Sequence, residues 1–202
     1  MTRTVDLRCR CGTVEGRVEN AASDTVNRLV CYCRDCQAYL HHLGRADLLD
    51  ASGGSDIVQV APAQLSYTRG TDRIAAVRLT AKGLHRWYAS CCKTPLGNTL
   101  GPGVPFVGVL AHLFGAPDDI VGPPAGRMFG KFAVGAPPPG STGPAVGLLL
   151  RAGGKVLGWK LGGKTWPHPF FDRETRAPRY PITILTPEER DRLRPLCGPK
   201  PV

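Results

Sequence analysis

Clustered cysteines constrain this chain more than any other feature of its sequence. Of the eight cysteines, all but one lie in the first half of the chain, in three tight groups: Cys9 and Cys11, then Cys31, Cys33 and Cys36, then Cys91 and Cys92. Such groups are typical of metal-binding knuckles, whereas a disulfide framework spreads its cysteines through a small secreted domain. The sequence therefore predicts a fold organised around bound metal.

The grouping predicts two zinc sites of different kinds. Zn²⁺ takes four thiolates in a structural site, whereas a catalytic site keeps one position open. The middle group supplies three thiolates from a single turn, and the flanking groups together supply four, from Cys9, Cys11, Cys91 and Cys92. We therefore expect one structural Zn²⁺ and one Zn²⁺ that could be catalytic, held by Cys31, Cys33 and Cys36.

Three motifs, taken in order, resemble those of the glutathione-dependent formaldehyde-activating enzyme family, also called the centromere protein V-like family. They are Cys9-Arg10-Cys11-Gly12, Cys31-Tyr32-Cys33-Arg34-Asp35-Cys36 and Tyr88-Ala89-Ser90-Cys91-Cys92-Lys93-Thr94-Pro95-Leu96. Each motif alone is a weak signal, but the three in this order are specific. The resemblance spans roughly residues 5–110, so it says little about the rest of the chain.

The resemblance implies a mainly β fold of stacked small antiparallel sheets, of the Mss4-like or β-tent type. It also implies a structural zinc that joins the first and third motifs, with Cys9, Cys11 and Cys92 as matching ligands, and a reactive zinc on the middle motif. The activity that it implies is carbon–sulfur bond formation, in which glutathione condenses with formaldehyde to S-hydroxymethylglutathione.

The third motif departs from the family pattern, which is Cys-x-x-Cys followed by glycine. Ala89 stands at the first cysteine position and Lys93 at the glycine. Cys91 could supply the missing ligand, but adjacent residues of an extended strand point to opposite faces, so this needs a turn or a bulge. Otherwise Cys91 is a free or redox-active thiol, or a fourth ligand of the middle group.

The pattern of short strands and turns predicts a mainly β body with a C-terminal helical extension. We expect a zinc-binding β domain over 1–112, a connection rich in proline and glycine over 113–142, and a helix, a strand and a short helix packed on the β domain over 143–202. The helix is predicted over 144–161. Its basic amphipathic pattern fits packing against the β body, but could also serve a membrane surface or a partner.

Charge and composition limit the classes of partner. The formal charge is +10 with a pI near 9.5, which favours anionic partners such as an acidic small molecule. Basic and aromatic residues do not interleave as in a nucleic-acid platform, so nucleic acid is not expected as a partner. No apolar run resembles a secretory signal or a membrane span, which indicates a cytoplasmic protein with reduced thiols.

These features support two function hypotheses. The first is a zinc-dependent carbon–sulfur lyase, similar to S-(hydroxymethyl)glutathione synthase, that acts on a small thiol and an aldehyde or related electrophile. The alternative is a zinc-stabilised binding module without catalysis, which engages a protein or nucleic-acid partner through its basic surface. Redox sensing through Cys91 and Cys92 is a third possibility. The sequence determines neither the substrate nor the oligomeric state.

Overall fold

The computed structural model describes residues 3–199. Its strands are β1 (Arg3–Arg8), β2 (Glu15–Ala21), β3 (Asn27–Cys31), β4 (Ser55–Val60), β5 (Leu65–Arg69), β6 (Ile74–Arg78), β7 (His85–Ala89), β8 (Thr94–Thr99), β9 (Val107–Leu110), β10 (Arg127–Met128) and β11 (Ile182–Ile184). Its α-helices are α1 (Arg34–His42), α2 (Pro117–Val121), α3 (Val146–Leu161) and α4 (Pro187–Leu193). The chain is therefore mainly β, as predicted.

The strands form two sheets of unequal size. The smaller sheet has the order β1-β2-β5 and is antiparallel throughout. In β1 the side chains of Val5 and Leu7 are buried while their neighbours are exposed, because alternate residues of a strand point to opposite faces. This sheet thus has one face on the core and one in solvent.

The larger sheet differs from the stacked small antiparallel sheets that the sequence led us to expect. It has eight strands in the order β10-β3-β4-β9-β8-β7-β6-β11, and both edge strands run parallel to their neighbours. These edge strands come from the segments after residue 112, which the resemblance does not cover. The extension therefore enlarges the sheet by pairing with both of its edges.

The main hydrophobic core includes Trp87 of β7, and several aromatic side chains pack around it. Its ring stacks on that of Phe170 with the centroids 4.5 Å apart, and its indole N–H donates to the Thr99 hydroxyl at 2.9 Å. Phe171 meets Trp87 edge to face at 5.7 Å. The segment that precedes β11 therefore anchors the C-terminal part of the chain in the core of the β body.

The C-terminal segment of the described chain packs against α1. Helix α4 begins with a capping box, in which the Thr186 hydroxyl accepts from the N–H of Glu189 and the Glu189 carboxylate accepts from that of Thr186. After α4, the N–H of Gly198 donates to the Gln37 side chain of α1 at 2.7 Å. This places the arginines of α4 beside the N-terminal end of α1.

Helix α3 packs against the β body with only part of its apolar surface, where Leu148 lies against the buried cluster that contains Leu29 and Ile57. Trp159 is its only buried residue in the described part of the chain, whereas Leu150 and Leu161 are exposed. Its predicted position was right, since it spans Val146–Leu161. Within residues 3–199, no helix is long and apolar enough to cross a bilayer.

Candidate metal centres

Four cysteines from two distant turns meet at one end of the β body. Cys9 and Cys11 lie in the turn after β1, and Cys91 and Cys92 lie in the turn between β7 and β8. Their Sγ atoms all lie within 4.8 Å of one another, and those of Cys11 and Cys91 are 3.4 Å apart. We call this group the four-cysteine cluster.

The turn between β7 and β8 explains how two adjacent cysteines reach one point. Ser90 to Lys93 leave the extended conformation, and the N–H of Lys93 donates to the Ala89 carbonyl at 2.8 Å. Lys93 itself is left-handed, with φ of 57°. Glycine adopts this conformation without steric cost, so Lys93 occupies a position that suits the glycine of the family pattern. Cys91 thus joins the four-cysteine cluster and lies apart from the middle group.

Hydrogen bonds give the thiols of the four-cysteine cluster different acidities. The Thr13 hydroxyl lies 3.2 Å from Cys11 Sγ, and its hydrogen bond is the main cause that lowers the pKa of Cys11 to about 6. Burial raises the pKa of Cys91 to about 12, and its Sγ lies 3.4 Å from that of Cys11. The N–H of Val14 donates to Cys9 Sγ at 3.2 Å, but burial raises the pKa of this thiol as well. The cluster therefore stabilises the thiolate, the form that binds metal, at Cys11 and not at Cys9 or Cys91.

The middle group forms a second cluster on the larger sheet, which we call the three-cysteine cluster. Cys31 ends β3, Cys33 is the N-cap of α1, and Cys36 lies in the first turn of that helix. The N–H of Cys36 donates to Cys33 Sγ at 3.4 Å, and the three Sγ atoms lie within 4.8 Å of one another. A strand end followed by a helix N-terminus thus brings together the three thiols as predicted from their spacing.

A buried arginine beside this cluster was not found by sequence reasoning. Arg86 in β7 is 2% exposed, and its guanidinium lies 3.8 Å from Cys36 Sγ and 3.3 Å from Asn98 Oδ1, to which it donates. It also lies over the Tyr39 ring, 5.3 Å from the centroid. An arginine in a strand pattern carries no signal of its own, because only the pairing of β7 with β8 and the packing of α1 bring these groups together.

The electrostatics of the three-cysteine cluster follow from these contacts. The pKa of Cys36 lies well below its usual range, because hydrogen bonds from Cys31 and Cys33 and the charge of Arg86 stabilise its thiolate despite its burial. The pKa of Cys31 is raised well above the usual range, since Cys33 and Cys36 compete for the same negative charge. One thiolate next to one buried cation is therefore the favoured metal-free state.

A cavity of about 180 Å³ borders the three-cysteine cluster. Its walls come from β3, β4, the β6–β7 turn and the loop before β9, and they are mostly apolar. Gln59 and Asn98 contribute polar side chains. The apolar lining residues include Leu29, Ile57, Leu84, Phe106 and Met128. Phe129 lines it as well and is left-handed, with φ of 62°, which is an uncommon conformation for a bulky residue. The three cysteines thus form part of the wall of a small, mostly apolar cavity.

Both clusters fit a thiolate-binding metal by the chemistry of their donors. Zinc with bonds of about 2.3 Å in a tetrahedral site places its sulfur ligands about 3.8 Å apart. The sulfur pairs of the four-cysteine cluster include distances of 3.4, 3.5 and 3.9 Å. Cysteine sulfur is a soft donor that suits zinc, and a carboxylate is absent from both groups within residues 3–199. Cys197 belongs to neither cluster.

The fold and the two clusters define a mainly β protein with two cysteine groups that could hold metal ions. The chain belongs to DUF6151, a family of unknown function, whose model matches residues 1–177. No curated protein matches the sequence. A crystal structure of a Rhodobacter sphaeroides protein, determined by structural genomics, is similar with a TM-score of 0.38 and 15% identity, over 54% of this chain and 85% of that one. A similarity of this size defines neither fold nor function.

Proposed function

We propose that this chain is a zinc-dependent enzyme that joins a small thiol to an aldehyde or a related electrophile. The observation that carries the proposal is that all three thiols of the three-cysteine cluster line one cavity. Three thiolates leave a zinc ion one ligand short of a structural site, and the adjoining cavity gives a substrate access to it. The four-cysteine cluster has the full number of thiolates and serves, on this proposal, as the structural zinc site.

The size of the cavity supports a small electrophile. At about 180 Å³ it is smaller than the roughly 300–1,000 Å³ of pockets for drug-sized ligands. Its apolar walls lower the local polarity around the sulfur atoms, which strengthens the electrostatic interactions of any charged group bound there. A compact aldehyde fits this environment better than a sugar or a nucleotide does, because the walls offer few hydrogen-bonding groups.

A second depression supports an anionic thiol as the other substrate. Cys33 also lines an open surface cleft of about 650 Å³, together with Arg34, Arg190, Arg194, Asp35 and Asp191. Arg194 pairs with Asp35 at 2.9 Å and Arg190 with Asp191 at 3.2 Å, so the positive charge of Arg34 remains in excess. A thiol with a carboxylate can therefore bind in this cleft with its sulfur next to Cys33, which lines both the cleft and the cavity.

The proposed reaction adds the thiol across the carbonyl group. A carbon–sulfur bond forms and the π bond of the carbonyl group breaks. The proton of the thiol passes to the carbonyl oxygen, which becomes a hydroxyl group. Bound zinc would supply a Lewis acid that stabilises the substrate thiolate. Within the chain, Arg86 offsets the negative charge that three thiolates bring to a buried place, and its contacts with Asn98 and Tyr39 hold it there.

The test uses the reduced, zinc-loaded protein with glutathione and formaldehyde, and follows exchange between free and adduct signals by NMR. We expect faster exchange than in buffer, which Cys33→Ser abolishes and Cys197→Ser leaves unchanged. Cys197 is the matched control because it belongs to neither cysteine cluster, and its thiol donates to the carbonyls of Arg34 and Leu193. If exchange at micromolar protein equals that in buffer, this substrate pair is rejected.

The proposal extends to fold class and location. The resemblance of the cysteine motifs supports membership of the glutathione-dependent formaldehyde-activating group and an Mss4-like arrangement within 1–112, with 113–142 as the connection and 143–202 as the extension. A cytoplasmic location agrees with the requirement for reduced thiols. An anomalous map at the zinc edge from a crystal would test both metal positions and the ligands of each.

One observation favours the alternative of a binding module. Cys31 and Cys36 are buried, and buried thiolates also suit a metal that only holds the fold together. In that case a chelator removes both ions only as the chain unfolds, whereas the enzyme proposal expects one ion to leave a folded protein. The two functions are therefore separable without knowledge of the substrate.

A further inference from the structure

Helix α3 has apolar side chains on the side that faces the protein and on the side that faces away from it. Trp159 is buried, and two basic side chains reach back to the β body: Arg151 donates to Asn27 Oδ1 at 3.0 Å and to the Ser23 carbonyl at 3.0 Å, and Lys155 donates to the Asp24 carbonyl. These contacts fix which side of the helix faces the body. The opposite side is consequently in solvent.

That solvent-facing side is aliphatic. Val146, Leu150, Leu157 and Leu161 are 56%, 71%, 58% and 80% exposed. Their positions are i, i+4, i+11 and i+15, which a helix with 3.6 residues per turn places on one side. Gly153 and Gly154 lie between them with open space around their Cα atoms. We call this strip the outward face of α3; it is apolar although it faces away from the core, where a surface helix is usually polar.

The charges of α3 indicate what covers this face. The helix contains Arg151, Lys155 and Lys160 and has neither aspartate nor glutamate, and Lys164 follows it closely. The periodicity places Lys160 at the border of the outward face. A second copy of α3 would bring these cations together without acidic partners, which opposes self-association. A partner with negative charge at its surface and an aliphatic interior beneath it matches both the cations and the exposed leucines of the helix.

We propose that α3 binds the surface of membranes that contain anionic lipids. The leucines of the outward face enter the boundary between headgroups and acyl chains, while Lys160 and Lys164 remain at the level of the anionic headgroups. The helix has 16 residues and lies along the surface, and the net charge of +10 adds a general attraction. This inference does not depend on the proposed enzymatic function.

The outward face also adjoins the three-cysteine site. Leu149 and Phe129 line one depression beside the start of α3, and Phe129 also lines the cavity above the cysteines. Both side chains are exposed. Attachment through α3 therefore brings the membrane surface close to Phe129, which is part of the cavity wall.

The test is co-sedimentation of the reduced, zinc-loaded full chain with vesicles of phosphatidylglycerol and phosphatidylcholine, compared with phosphatidylcholine alone. We expect binding to the anionic vesicles that weakens as salt is raised. The double variant Leu150→Ser/Leu157→Ser should bind about tenfold more weakly or worse. Leu100→Ser is the matched control, because Leu100 is 58% exposed outside α3. Circular dichroism checks that each variant is folded.

Two further comparisons make the outcome decisive. Lys160→Glu should weaken binding more than Lys82→Glu, which changes the net charge equally at an exposed position outside α3. Equal effects would show attraction by bulk charge alone and would overturn the proposal, as would no binding to anionic vesicles. If the chain self-associates in sedimentation velocity without lipid, and the leucine variant abolishes this, the face is a contact between copies and the proposal is wrong.

Discussion

The two cysteine clusters differ in burial and in ligand number. The cluster with more thiols is the more exposed one. The four-cysteine cluster has a full set of thiols, yet Cys11 and Cys91 are exposed. The three-cysteine cluster lacks a fourth thiol, yet Cys31 and Cys36 are buried. Whether a metal site is closed therefore depends on its ligands and not on its depth. A shallow site can be structural and a deep site can be reactive.

Their surroundings differ as well. The four-cysteine cluster joins two turns that are about 80 residues apart in sequence, so a metal there links distant parts of the chain. The three-cysteine cluster is local, within one strand end and one helix start. It has a cavity and a buried arginine beside it. The first arrangement suits stabilisation of the fold, and the second suits chemistry.

The largest expected effect separates the clusters by stability. Cys92→Ser should lower the free energy of unfolding by about 4 kcal/mol or more, because a metal that joins distant turns is lost, whereas Cys33→Ser should cost less than about 2 kcal/mol. Denaturant titration with zinc analysis measures both, and Cys197→Ser is the control. Equal losses for Cys92→Ser and Cys33→Ser would break the distinction between the clusters.

A chelator should distinguish the sites in the unaltered protein. We expect a moderate chelator to remove the metal of the three-cysteine cluster while the far-ultraviolet circular dichroism stays constant, since only that site has fewer than four thiols. Metal content per chain and circular dichroism are followed together. Loss of both ions in a single step with unfolding would show that both sites are structural.

Replacement of Arg86 should affect one cluster alone. Arg86→Met keeps much of the side-chain volume but removes the buried cation, so the affinity of the three-cysteine cluster for zinc should fall by about tenfold or more. Competition with a chromophoric chelator measures the affinity, and Arg17→Met, at an exposed position, is the control. An unchanged affinity would mean that Arg86 serves packing on Tyr39 and not charge balance.

The smallest expected effect concerns the turn of the four-cysteine cluster. Lys93→Gly should raise the free energy of unfolding by about 0.5 kcal/mol. Relief of the left-handed conformation contributes about 1–2 kcal/mol. The flexibility of glycine and the lost contact with the Tyr88 ring together cost about 1 kcal/mol. Lys82→Gly, in a turn without positive φ, should be neutral or destabilising. A loss at Lys93 would contradict the strained turn.

The sequence was informative where the signal is local. The spacing of Cys31, Cys33 and Cys36 requires only one turn to bring the thiols together, and the structure does so. The capping box at Thr186 depends on four consecutive residues, so it too is a local signal. The mainly β character followed from the regular alternation of short apolar runs and turns.

Features that depend on packing between distant segments were not predictable. Arg86 meets Cys36 only because β7 pairs with β8 and α1 packs over the sheet, and nothing in the sequence around Arg86 indicates this. The strand of the extension was expected and is β11, but neither its parallel pairing nor β10 was predicted, because strand direction is set by the connections and not by the strand residues.

By itself, the sequence determined which residues can bind metal and that two groups of them exist, because donor chemistry and short spacing are local properties. Only the tertiary structure decided that Cys91 joins the four-cysteine cluster, that a cavity and a buried cation flank the other cluster, and that most leucines of α3 are exposed. The periodicity of a helix defines its apolar side, but the contacts of Trp159, Arg151 and Lys155 decide which side meets the protein.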